Sequence, residues 1–239
     1  MTMLIPIRDH NPTRRTPLVT WGLIAVNIWA FLKFGVSEET VHQFGAIPCD
    51  VASRCDFLST QLEQRFPQRT SLTSIVTSMF MHGSLLHLGG NMLYLWVFGN
   101  NVEDRLGHVR YLVFYLVTGV AAAASHILVD SASVIPIVGA SGAVAGVLGG
   151  YLVMFPRARV TSLVPIFLFW PVQVSAKFLL VMWFVLQVFS GVAGLGAQQG
   201  GGVAFFAHVG GFVAGYLIVK AMNPPKPVVV EPQLDRLPW

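Results

Sequence analysis

Four side chains in this sequence have the wrong chemistry for their surroundings. His87 and Asn91 lie in the apolar run Leu85–Asn101 and His208 in Val203–Met222, while Ser141 opens Ser141–Phe155 inside the string Gly139-Ala140-Ser141-Gly142. Ionisable and amide groups are costly in hydrocarbon, so each one kept there is a functional candidate. A Ser and a His within hydrogen-bond reach are the minimum apparatus for nucleophilic acyl transfer. The imidazole takes the hydroxyl proton during attack and returns it to the leaving amine. Glycines before and after Ser141 let the chain turn tightly. A Ser at a helix N-terminus also sits beside unpaired backbone N–H groups, which favour an oxyanion. His87 and Asn91 are four apart, point the same way from one helix, and would add side-chain donors. Every Asp and Glu falls in a loop, a tail or a span end, so the expected apparatus is a dyad without an orienting carboxylate.

Blander roles compete for the same residues. A Ser among small residues commonly packs helices, and an intramembrane Asn or His can bridge them. A metal site from His87 and His208 lacks Cys or carboxylate partners at that depth, so no metal and no cofactor is expected. His42, His82 and His126 read as loop or interfacial residues; His82, five before His87, is turned off its face.

Such residues meet only if helices carry them together. Of 239 residues 54% are hydrophobic and 11% charged, with mean hydropathy +0.64. Soluble domains carry about 25% charged residues, so this chain reads as an all-α, polytopic membrane protein. Six segments meet the spanning criterion: Leu18–Phe34, Leu85–Asn101, Tyr111–Val129, Ser141–Phe155, Val174–Gly194 and Val203–Met222. The net charge of +4 comes from Lys and Arg scattered in twos and threes, not from a basic stripe, which argues against nucleic acid. Arg8, Arg14 and Arg15 precede the first segment, and Arg105 and Arg110 follow the second. Arg157, Arg159 and Lys177 surround the fourth connection, and Lys220, Lys226 and Arg236 accompany the last segment. The opposite side has only Lys33, Arg54, Arg65 and Arg69, at or in one long loop, so both termini are expected in the cytoplasm. Segments two, four and six then run inward, and His87, Asn91, Ser141 and His208 share one depth near the external face.

Residues 1–17 are expected to be a cytoplasmic segment rather than a cleavable signal peptide, 35–84 an external loop, and 223–239 a Pro-rich cytoplasmic tail. Within the loop, Asp50–Phe66 mixes apolar and charged residues as an interfacial helix would. Cys49 and Cys55 lie there, where a disulfide is permitted; paired and free thiols both remain open. The Gly-rich connection Leu195–Gly202 is expected to be mobile. Gly211 and Gly215 make a G-x-x-x-G that allows close packing, and Gly142 and Gly146 offer a matching surface.

Three motifs, His82-x4-His87-x3-Asn91, Gly139-x-Ser141-Gly142 and Ala207-His208-x2-Gly211-x3-Gly215, resemble the rhomboid intramembrane serine proteases. Glu103-Asp104-Arg105 is similar to that family's Glu-x-Arg element, read as stabilising a cytoplasmic turn. The resemblance spans Leu18 to about Met222. It implies a six-helix bundle whose cavity opens to the external side, with a flexible cap over the site. It implies Ser141 as nucleophile, His208 as base, and an oxyanion hole from His87, Asn91 and the Ser141 N–H. Implied substrates are single-span membrane proteins cut near the outer end of their span, with the lipid bilayer as the other partner. Two departures stand out. The first loop lacks the Trp-Arg pair of many members, and Ala145 replaces an aromatic that stacks on the base in some, leaving His208 to other packing such as Phe205 or Phe206. The compact form suggests a bacterial plasma membrane. A catalytically inactive relative that binds membrane proteins would have lost Ser or His, and both are present. A transporter would place its polar groups at the midplane with an acidic relay.

Overall fold

The structure, a computed structural model, describes residues 4–164, 170–194 and 204–223; the Leu195–Gly202 connection and nearly all of the Pro-rich tail lie outside them. Helix α1 (Leu18–Phe34) is followed by four short helices in the first loop, α2 (Glu38–Phe44), α3 (Pro48–Val51), α4 (Asp56–Arg65) and α5 (Ser71–Thr77). The long helices come next: α6 (Leu85–Tyr94), continued through a π-helical stretch Leu95–Gly99 into α7 (Asn100–Leu106), then α8 (His108–Val129), α9 (Ser141–Met154), α10 (Ala176–Gly194) and α11 (Phe205–Met222). Of these, α8, α10 and α11 are long and apolar enough to cross a membrane, while α1 and α9 are apolar but shorter. Trp29, Leu32, Leu128 and Phe189 are more than half exposed on their helices. Such surfaces make this an integral membrane protein.

The expectation of an all-α chain needs one correction. Strands β1 (Ile5–Asp9), β2 (Arg159–Val164) and β3 (Trp170–Ser175) form an antiparallel sheet in the order β1-β2-β3. Ile5 pairs with Leu163 and Asp9 with Val160, and Arg159 pairs with Ser175. Each strand is five or six residues long, too short to show a period, and β1 meets its partner about 150 residues away. β3 also takes residues assigned to the fifth span, whose helix starts at Ala176 rather than Val174. The second apolar segment is helical over a longer range than hydropathy suggests. It runs helical through the polar Asn100–Leu106 and ends at Gly107, whose φ of +79° breaks it.

That extension gives Glu103 a task other than holding a turn. Its buried carboxylate accepts from the Val19 N–H at 2.8 Å, and from the Thr20 N–H and hydroxyl at 2.7 Å each. The two N–H groups are orphan donors of the first turn of α1, and a carboxylate there complements the helix dipole. His108 Nδ1 lies 2.6 Å from the same carboxylate, and Asp104 accepts from the backbone of Arg14 and Arg15. Arg105 follows on the last turn of α7.

The first loop is tied internally. Cys49 and Cys55 are joined as a disulfide. Buried Arg69 donates to Asp50 at 2.8 Å, and Ser59 donates to the same carboxylate at 2.6 Å. Burial pushes the Asp50 carboxyl up, but Ser59 and the Arg69 guanidinium outweigh it and hold it below its ordinary value. In place of a Trp-Arg pair, this loop has an ion pair and a disulfide. The interfacial stretch is helical over α4, with Leu62 and Phe66 buried and Phe57 exposed.

Candidate active site

The site is built where α9 and α11 touch backbone to backbone. A Cβ on Gly211 would strike the Gly142 carbonyl oxygen, and one on Gly215 the Gly146 carbonyl oxygen. A Cβ on Gly142 would run into Ala122 of α8. Only glycine allows approaches this close. With the axes so near, short side chains from the two helices meet. His208 Nε2 lies 2.8 Å from Ser141 Oγ, across 67 residues of sequence.

Ser141 is the first residue of α9, after Ala140 at the N-cap. Its own N–H therefore belongs to the first turn, which has no intrahelical acceptors. Gly139 enters this turn with φ +125°, and its N–H donates to the Ser78 carbonyl at 2.9 Å. The His87 ring covers Gly139: a Cβ there would lie 2.7 Å from His87 Cε1 and Nε2. Ser84 caps α6 by accepting from the His87 N–H, which sets the start of that helix. One turn on, Asn91 is buried, with its Nδ2 donor unpartnered among the described residues.

His87, Asn91, Ser141 and His208 all line one cavity of about 840 Å³, together with residues of α8 and α10. His82, expected at a loop or interface, is buried. Its ring meets His87 edge-on at 5.1 Å, and its Nε2 lies 3.5 Å from the Ala140 N–H. His126 also reaches the cavity wall.

The surroundings of His208 hold a second surprise. Phe205 meets its ring edge-on at 6.3 Å, and Trp183 of α10 lies tilted over it at 5.9 Å. Nδ1 has a polar partner, Gln187 Oε1, at 2.7 Å. The expected dyad had no orienting carboxylate, and a neutral amide takes that position instead. The signal was available, since a Gln within an apolar span is as anomalous as an Asn.

Residues 69–224 match the Rhomboid domain family, about two thirds of the chain. The chain belongs to the rhomboid family. Among relatives of this rhomboid, Rhomboid protein 1, mitochondrial, of Saccharomyces cerevisiae is 36% identical over 154 residues, covering 62% of this chain and 41% of that protein. RHOMBOID-like protein 5 of Arabidopsis thaliana is 28% identical across 89% of this chain and 71% of its own length. Rhomboid protease GluP of Bacillus subtilis is 27% identical across 88% of this chain and 36% of its own. The chain thus spans less than half of the yeast and Bacillus proteins. No group of three or more His, Cys, Asp or Glu suited to a metal occurs among the described residues.

Proposed function

We propose that this rhomboid is an intramembrane serine endopeptidase in which Ser141 is the nucleophile and His208 the general base. The observation that carries the reading is the 2.8 Å contact of Ser141 Oγ with His208 Nε2 at the wall of a cavity. Nε2 takes the hydroxyl proton as Oγ attacks the scissile carbonyl carbon, forming a C–O bond and a tetrahedral oxyanion. The oxyanion is met by the Ser141 N–H, Asn91 Nδ2 and His87. Collapse breaks the C–N bond, His208 returns the proton to the leaving amine, and water then hydrolyses the acyl-enzyme by the same route.

The substrates are membrane proteins with one transmembrane helix, cut near its outer end. The fold is a six-span bundle over residues 18–222 with both termini in the cytoplasm and residues 35–84 external. The charge asymmetry supports that orientation. The relatives' names include mitochondrial proteins as well as one from Bacillus subtilis, so a bacterial plasma membrane draws no support from them.

The test is cleavage of a labelled single-span substrate by the purified chain in detergent, beside Ser141→Ala and His208→Ala. Each variant is expected to lose about a thousandfold or more in kcat/KM. Full cleavage by Ser141→Ala would end the protease reading. Substrate bound but never cut by the unaltered chain would leave an inactive binding relative.

A further inference from the structure

His208 can serve as base only in one tautomer. A neutral imidazole carries a single ring proton. With that proton on Nδ1, the Nε2 lone pair faces Ser141 Oγ and accepts its hydrogen. With the proton on Nε2, the ring donates toward Ser141 and cannot receive anything from it. Whatever contacts Nδ1 therefore decides whether the 2.8 Å pair is a catalytic contact or an idle one.

That contact is an amide oxygen. Gln187 Oε1 lies 2.7 Å from Nδ1, and Gln187 is 8% exposed, so little water competes for the bond. A carbonyl oxygen only accepts, which selects Nδ1–H. During proton transfer the ring becomes an imidazolium and keeps Nδ1–H, so the bond becomes charge-assisted and strengthens when charge develops. Gln187 and Trp183 are four apart on α10 and face His208 together. Ser141 and His208 come from α9 and α11, which are locked by their glycines, so α10 supplies an independent third element to the site.

We propose that Gln187 is a positioning residue completing a Ser141–His208–Gln187 chain, with a neutral amide in the place where soluble serine hydrolases put a carboxylate. In hydrocarbon this substitution has a physical logic. An amide orients the imidazole through its dipole without the cost of burying an ionised carboxylate. The proposal rests on the protease reading above.

The test uses the full chain in detergent with two readouts, cleavage kinetics on a labelled single-span substrate and the rate at which a fluorophosphonate probe labels Ser141. Gln187→Leu keeps the side chain's bulk, removes the acceptor and suits an apolar helix. It is expected to lower kcat by about 10–100-fold, less than loss of the base itself. KM should stay within about twofold, because no contact made in substrate binding is lost. Probe labelling should slow by the same factor as kcat. Gln187→Glu, held neutral by the same burial, keeps a carbonyl oxygen that accepts from Nδ1–H and is expected to recover most of the rate. Unchanged kcat in Gln187→Leu, a loss confined to KM, or a Gln187→Glu variant as slow as Gln187→Leu would each overturn the role. If the unaltered chain neither cleaves nor labels, the protease reading falls first and this one with it.

Discussion

At the scale of single residues, Asn91 lines the cavity and keeps one buried donor, Nδ2, without a partner among the described residues. An unsatisfied buried donor is costly, and a cost of that kind is offset if an oxyanion fills it during the reaction. Asn91→Ala is therefore expected to lower kcat by on the order of a hundredfold with little change in KM, as for one missing oxyanion donor. Steady-state cleavage of the same substrate checks it; a loss carried by KM alone would instead mark Asn91 as a binding contact. The His87 ring is held over Gly139. Its position depends on a glycine whose φ of +125° few other residues adopt.

At the scale of elements, the α9–α11 contact sets the geometry. A methyl group at Gly215 would fall on the Gly146 carbonyl, which is backbone and cannot swing aside. Gly215→Ala should push the two helices apart, destabilising the fold by about 1–3 kcal/mol and widening the Ser141–His208 gap. Gly22 of α1 has open space around its missing Cβ, so Gly22→Ala should be neutral or gain up to about 1 kcal/mol from helix propensity. Thermal unfolding in detergent distinguishes the two, and equal midpoints would refute the packing argument. Glu103 works at the same scale, since one carboxylate in the first turn of α7 fixes the start of α1.

Across the whole molecule, the sheet ties the chain's beginning to its helices. Asp9 on β1 accepts from Asn101 of α7 at 2.6 Å and from the Tyr151 hydroxyl of α9 at 2.8 Å. Burial pushes its carboxyl from 3.8 up to about 6, against the pull of Tyr151, Asn11 and Arg8. Because the folded state holds this proton more tightly than the unfolded one, stability falls as pH rises from 3.8 through about 6. The full penalty above that window is at most about 3 kcal/mol. The unfolding midpoint in detergent should thus be higher at pH 5 than at pH 7.5, and Asp9→Asn should narrow the difference. Asp50 has the opposite sign, its contribution being lost only as pH falls below the ordinary carboxylate range. A midpoint that does not move between pH 5 and 7.5 in either protein would refute the assignment to Asp9.

The features legible along the chain were local ones. Hydropathy summed over a window marked the membrane class and placed α1 at its observed bounds and α8, α9 and α11 within three residues of theirs. Out-of-place polarity marked Ser141, His208, His87 and Asn91 because burial cost is a property of each residue. Folding in three dimensions supplied partners that no motif announced: the β1–β2 pairing, the joining of Cys49 to Cys55, Glu103 at the start of α1, and Gln187 at the imidazole. A hydrogen bond depends on two groups arriving at the same point, and residues 21, 83 or about 150 positions apart leave no periodicity from which that arrival can be read.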